Sequence, residues 1–487
     1  MHMKSRAGSE LLLGVDAGTT LVKAAVYALD GACLGSGEAR QGVTSQQPGW
    51  AEQQPADWWR GVRRAVREAL QGAGVACERV AAIGISTQGG TLAVFDGRGR
   101  TLGPALVWSD IRQRAQQQDE AACEEQFALT GLAHLNMSPA ALGWMKKNRG
   151  EWFGASYRIG YVPDYLTFRL TGEWVSDATN LGICNLCDLR TGDIALPAIE
   201  RLGLPRDSFA VTRQAGEIAG MLNAKAAKEL GVREGIPVAA PGHDQYCAAL
   251  GAGCVEDGDL LLSTGTAWVV LLTTTRLITD RKSSFWPGRH VHPGRWGLMG
   301  AISSGGCTLD ALLELTRQRA DWERINAAIE SVPAGSDGVL VIPHLVGRTL
   351  PSWNSEARGA ILGWSLGHRR EHLWRAAIEG LAMETRVGCE YLAARGADTR
   401  RLRMVGGAAR SSVWPRIVAS VLGSTVHACV SESVAVRGAA CLAARALGLP
   451  DLPQTLQWEE HRPVRECQER YERAFARYRE ALRRLED

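Results

Sequence analysis

Two aspartates in this chain stand where a carboxylate could do chemistry. Asp16 opens "DAGTT", between two apolar runs that read as the strands of a hairpin. Asp244 lies in "PGHDQYCAALGAG", after a strand-like run and at a helix start. An ordinary tight turn is built from Asn-Gly or Asp-Gly and needs no threonines. Gly18, Thr19 and Thr20 offer something else. Glycine lets the backbone approach an anion closely. Consecutive N–H groups with threonine hydroxyls then form an anion cradle. Asp16 beside that cradle could hold Mg²⁺ directly or through water. The plainer alternative is a simple hairpin turn. Asp244 also has two readings. It is an N-cap, common at such positions, or a base that takes a proton from a substrate hydroxyl during phosphoryl transfer. His243 beside it is a lone histidine in a loop.

A second Gly-Thr turn occurs in "GDLLLSTGTAWVVLLTTT". Aligning the two places Ala17-Gly18-Thr19 against Thr264-Gly265-Thr266. This weak internal repeat heads each half of the chain. It predicts two similar domains, 1–253 and 254–487, with one nucleotide bound between them. No lysine follows a glycine, which excludes a P-loop, and no G-x-G-x-x-G follows a strand. Gly406-Gly407 in "VGGAARSSVWPR" and Gly305-Gly306 in "GAISSGGCTLDAL" are further places where backbone could lie against a ligand.

The elements that must position these groups are read from periodicity. Leu11 to Tyr27 reads as a hairpin. A capped, amphipathic helix starts near Asp57 and ends in glycine. "VAAIGIST" and "TLAVFDGRG" read as strands, and "EWVSDATN" to "CDLRTGD" as more strand and turn. "HRREHLWRAAIEGLAMETRVGCEYLAA" reads as a long helix. "RRLRMVGGAARSSVWPRIVASVLG" reads as strand, glycine turn and helix. Val464, Cys467, Tyr471, Phe475, Tyr478, Leu482 and Leu485 form one apolar stripe that docks on the protein body.

Composition narrows the class. With 487 residues, the chain is too long for one core. A net charge of +3 gives no footing for wholesale nucleic-acid or membrane binding. No run is long enough to span a bilayer, and "MHMKSRAGSELLLG" lacks the pattern of a signal peptide. The expected compartment is the cytoplasm, and a homodimer is compatible with all of this. The 12 cysteines are spread out, as expected of reduced, buried residues. Cys184 and Cys187 in "CNLC" have metal-ligand spacing, but no second pair comes after them. We read them as core residues that bind no metal.

Several segments together resemble the FGGY carbohydrate kinases, in the superfamily of actin, Hsp70 and hexokinase. They are "GVDAGTT", "PGWAEQQPADWW", "PALVWSDIR", "VPDYLTFRLTGEW", "PGHDQ", "LLSTGTAWVV", "LVIPHLVGRTLPSWNSEARGAILG" and "VGGAARSSVWPRIVASVLG" followed by "AVRGAACLAARALG". They occur in family order and cover nearly the whole chain. The resemblance implies an α/β fold of two ribonuclease-H-like (actin-like ATPase) domains, with ATP and sugar meeting in the cleft. By position, Asp16 resembles the magnesium-linked carboxylate. Gly18, Thr19 and Thr20 resemble the first phosphate turn, and Thr264, Gly265 and Thr266 the second. Gly305, Gly406, Gly407 and Ser411 resemble nucleotide contacts. Asp244 resembles the catalytic base, with Gln245 at a substrate position. Gln88, Gly89, Gly90, Trp108 and Asn136 fall where the family meets its sugar. Members acting on glycerol carry Arg-Glu, and those acting on xylulose Met-His, where this chain has Gly89-Gly90. The two glycines imply vacated space filled by water. Trp364 and Ala267 also depart from the family pattern, as packing changes. The implied substrate is a small sugar or polyol, with a pentulose such as D-xylulose preferred. Another ketose or a tetritol is the alternative acceptor. A non-catalytic nucleotide- or sugar-responsive protein on this scaffold is the rival reading, but it would be expected to lose one of the two aspartates. An actin- or Hsp70-like ATPase would lack the "GHDQ" motif.

Overall fold

The computed structural model describes residues 10–75, 77–431 and 433–486. Residues 1–9, part of the stretch read for a signal peptide, lie outside the described residues. The chain divides into two compact units. The first comprises the chain up to Gly253 with Pro287–Trp296 and Ser433–Thr455; the second comprises Cys254–Trp286, Gly297–Glu432 and the chain from Leu456. A single cut after residue 253 therefore does not describe the division. The Val434–Ala446 helix returns to the first unit because two glycines let it lie directly on the sheet there. A Cβ at Gly14 or Gly84 would overlap the carbonyl oxygen of Val436 or Ala439. Arg437 then donates to the Gly31 carbonyl at 3.0 Å.

Each unit is built on a sheet of the same order. In the first it runs Cys33–Arg40, Leu21–Ala28, Leu11–Ala17, Val80–Thr87, Pro237–Ala239, Ile218–Met221. In the second, a seven-stranded sheet, the six matching strands run Trp296–Ile302, Trp268–Thr274, Leu260–Thr264, Leu402–Gly406, Val426–Cys429, Trp458–His461. Corresponding neighbours also agree in direction. Leu11–Ala17 is antiparallel to the next hairpin strand and parallel to Val80–Thr87. Leu260–Thr264 is antiparallel to Trp268–Thr274 and parallel to Leu402–Gly406. The weak repeat of the sequence is thus a repeat of topology.

The Pro55–Ala73 helix covers the first sheet. Pro55 occupies its first turn, Asp57 lies inside that turn, and Gly74 closes it in the left-handed region at φ 59°. Its inward stripe is Trp58, Trp59, Val62, Ala65, Val66 and Ala69. The Val175–Asp177 strand is shorter than its sequence implies, because Asp177 starts a helix, Ala178–Ile183. The Asp177 carboxylate accepts from the backbone N–H groups of Thr179 at 2.8 Å and Asn180 at 3.3 Å. In the second unit the long helix Arg370–Ala393 and the Gln468–Glu486 helix meet through polar locks. Tyr471 donates to Glu379 at 3.0 Å and Tyr478 to Glu384 at 2.6 Å. Tyr471, Phe475 and Tyr478 of the apolar stripe are buried there, but Val464 precedes the helix and Leu485 is 51% exposed. Among the described residues, no helix is long and apolar enough to cross a membrane.

Candidate active site

Parallel strands deliver their residues in register. Asp16 stands opposite Ser86, and Ser86 stands opposite Gly242; Ala17, Thr87 and His243 form the next row. The segments leaving these strands, Gly18–Thr20, Gln88–Gly90 and Asp244-Gln245, emerge at one edge of the sheet. In open α/β sheets this carboxyl edge is where ligands bind.

Asp244 is the first residue of the Asp244–Gly251 helix, and His243 holds the N-cap position without a side-chain bond. The capping role that would explain Asp244 structurally is therefore not its own. Its side chain keeps 25% of its surface open. Burial of the rest pushes its pKa up to about 7, against a lowering by Gln245. Asp16 is pushed up to about 7 by burial and then by the charge of Asp244, against lowering by Ser86 and Lys23. Ser86 donates to Asp16 Oδ1 at 2.7 Å, and Lys23 stands opposite Asp16 in the hairpin. Asp16, withdrawn from water and in electrostatic reach of Asp244, is a hard-oxygen donor, and a divalent cation such as Mg²⁺ beside it would relieve its penalty.

The two Gly-Thr turns divide their threonines alike. Thr19 donates to Gln88 Oε1 at 2.8 Å and accepts from Trp108 Nε1 at 3.0 Å. Thr264 is buried and donates to the Val405 carbonyl at 2.7 Å. Thr20 and Thr266 are exposed. Of the threonines expected to hold phosphate, Thr19 and Thr264 are thus spent on holding their own turns.

Several residues expected at the sugar are also committed inward. Gln88 is buried; its amide donates to Gln53 at 2.9 Å and its carbonyl accepts from Thr19 and Thr91. Asn136 Oδ1 accepts from the Ala115 backbone at 3.0 Å and from Gln118 at 3.3 Å. Gln245 Oε1 is buried without a partner, and Trp108 is 36% exposed. The expectation of water-filled space at Gly89-Gly90 is corrected. A Cβ at Gly89 would run into Ile183 and the His243 ring, and one at Gly90, whose φ is 71°, would stand 2.6 Å from Met137 Cε. Neighbouring side chains already occupy what the glycines vacate.

In the second unit, Gly265, Gly305, Gly306, Gly406 and Gly407 converge. Gly306 N–H donates to the Gly265 carbonyl and Gly407 N–H to the Thr264 carbonyl, both at 3.0 Å. Ser411 donates to Asn326 at 3.2 Å and accepts from the backbone of Val413 and Trp414, so its hydroxyl also closes a helix start. Cys184 and Cys187 are buried in the first unit, and burial pushes each thiol up to about 12. Among the described residues, no group of three His, Cys, Asp or Glu is placed to hold a metal.

Residues 11–251 match the N-terminal domain and residues 260–447 the C-terminal domain of the FGGY family of carbohydrate kinases. The chain belongs to this family. It is 28% identical over 484 residues to the xylulose kinase of Escherichia coli (strain K12), covering 98% of each chain. It is 29% identical over 459 residues to the glycerol kinase of Alkalilimnicola ehrlichii, covering 90% of this chain and 91% of the relative. The crystal structure of xylulose kinase from Rhodospirillum rubrum superposes with a TM-score of 0.85 at 28% identity, over 98% of this chain and 99% of that one. As an FGGY carbohydrate kinase, the protein is an ATP-dependent phosphotransferase acting on a sugar. The family's two-domain fold is the one expected from the sequence.

Sequence reasoning missed four residues of this FGGY site. Ser86 and Lys23 flank Asp16, Gln53 braces Gln88, and Ile183 closes on Gly89. Only Lys23 left a local signal, since hairpin pairing across a short turn puts it opposite Asp16. The others depend on contacts between distant segments.

Proposed function

We propose that this kinase transfers the γ-phosphoryl group of ATP to a hydroxyl of a small ketose or polyol, with a pentulose such as D-xylulose preferred. Asp244 takes the hydroxyl proton as that oxygen attacks the γ-phosphorus. The bond to the β–γ bridging oxygen breaks, and ADP leaves with the electron pair. A carboxylate poised near neutral pH suits a general base, being ionised in a useful fraction without being too weak. Asp16, with Lys23 and Ser86 around it, is the group that would hold Mg²⁺, which when bound supplies charge neutralisation at the phosphates. Thr20 and Thr266 present free hydroxyls, and the glycines beside them present backbone N–H groups. A supply of ATP fits a cytoplasmic reaction.

One observation carries the reading. Asp244 has no capping duty, keeps an open face, and stands at the strand edge it shares with Asp16. Two relatives named as xylulose kinases, matched over nearly the full length, support the pentulose. Glycerol should be a weaker acceptor. A small flexible triol finds no Arg-Glu pair here and loses more entropy than its few contacts return. The test is ADP release with glycerol, erythritol, xylulose, ribulose and fructose on one preparation. A kcat/KM highest for xylulose or ribulose is expected; glycerol as best acceptor would overturn the substrate assignment.

A further inference from the structure

Gly89 and His243 compete for one space. A Cβ at Gly89 would stand 2.5 Å from Cδ2 and 2.8 Å from Nε2 of His243, and would overlap Cγ2 of Ile183. The imidazole can lie there only because residue 89 has no side chain. It has little room to swing away. Its side chain is 6% exposed, and the His243 N–H donates to Thr179 Oγ1 at 2.9 Å. The Thr179 hydroxyl donates in turn to Asp177, which caps the Ala178–Ile183 helix. The backbone that carries the ring is thus tied to a buried helix start.

Its Nε2 lies 3.3 Å from Oδ1 of Asp244. An ionised carboxylate only accepts, so the single proton of a neutral imidazole belongs on Nε2. Burial, opposed by the charge of Asp177, pushes the His243 pKa down to about 4, so the ring is neutral near pH 7. Nδ1 is then a bare acceptor, and it is buried without a partner.

We propose that His243 is a positioning residue for Asp244. Its Nε2–H, 3.3 Å from Oδ1, biases the carboxylate so that Oδ2 is left for the substrate hydroxyl, and Gly89 serves to admit the ring. This rests on Asp244 being the base. Gln245 already holds the Asp244 carboxylate through its backbone N–H and side chain, and the imidazole is a further donor beside Oδ1 that restricts which oxygen is left for the substrate. A base displaced by about 1 Å loses up to ~10²-fold in rate.

The experiment is steady-state kinetics of the full chain, with its best acceptor sugar, for His243→Ala, His243→Gln, Gly89→Ala and the double variant Gly89→Ala/His243→Ala. Asp244→Asn is the reference, and melting curves check folding. His243→Ala should lower kcat by about 10- to 100-fold, with the KM for ATP within about twofold. His243→Gln keeps an N–H near the Nε2 position and should recover most of the loss. Gly89→Ala should lower kcat in the parent but have less than half that effect, in free energy, without the imidazole. His243→Ala within twofold of the parent, Gln no better than Ala, or fully multiplicative effects would each overturn the proposal. If the Ala variant does not fold, His243→Gln and Gly89→Ala decide: a Gln variant as poor as Gly89→Ala overturns it, and a clearly better one supports it. Full activity in Asp244→Asn would instead overturn the base assignment itself.

Discussion

Ser86 donates its hydroxyl proton to Oδ1 of Asp16 over 2.7 Å, from the position directly opposite on a parallel strand. The bond favours the ionised carboxylate and so opposes the burial that pushes Asp16 up to about 7. Ser86→Ala should raise that pKa further and weaken Mg²⁺ binding. A hydrogen bond to a charged group is worth about 1.5–3 kcal/mol, so the Mg²⁺ concentration at half-maximal rate should rise by roughly tenfold or more. Asp16→Asn should cripple turnover outright. A Mg²⁺ titration of the initial rate checks both. Unchanged curves would leave "DAGTT" a plain hairpin turn.

Asp244→Asn preserves shape and removes the base. We expect kcat to fall by about 10²-fold or more with little change in ATP affinity. Stability should move the other way. The folded Asp244 binds its proton up to about 7, whereas the unfolded side chain releases it near the ordinary aspartate value of 3.8. Between those pH values the folded state holds more protons, so rising pH destabilises the parent protein. The Asn variant escapes this. It should melt higher than the parent above pH 7, by an amount of order 1 kcal/mol per pKa unit, and lose the advantage near pH 4. Melting curves from pH 4 to 8 without ligands measure it.

The divided threonines make a paired prediction. Thr20→Ala and Thr266→Ala should raise the KM for ATP several-fold and leave the melting temperature nearly unchanged, since both residues are exposed. Thr264→Ala strands the Val405 carbonyl and should cost about 1–3 kcal/mol of stability. Calorimetric titration with ADP beside thermal melts separates the two outcomes. An equal loss of affinity in all three variants would contradict the division.

The "CNLC" pair should bind no metal. Thiols pushed up to about 12 are poor thiolate donors near pH 7. Asn185 between them is spent on structure, accepting from Thr130 at 2.8 Å and donating to the His134 carbonyl at 2.8 Å. Elemental analysis of untagged protein should find well under one zinc per chain. Stoichiometric zinc that disappears in Cys184→Ser would show the opposite.

Local chemistry was legible in the residues themselves. Glycines and threonines between apolar runs announce two hairpin turns, and the match between their segments announces a repeated topology. Asp16 and Asp244 stand out because a carboxylate two positions from a glycine where a strand ends rarely has a packing reason to be there. These are properties of short segments, and the backbone preferences of a segment act within it. The partners of each side chain were not legible. The sequence cannot say that the Val434–Ala446 helix joins the first unit, since that depends on Gly14 and Gly84 meeting it across more than 350 positions of chain. Nor can it say that Thr19 faces Gln88 while Thr20 faces solvent, or that Ile183 and His243 fill the space before Gly89. Register between strands and close packing between distant segments settle those questions, because a side chain's partners are chosen by the three-dimensional neighbourhood and not by its neighbours in the chain.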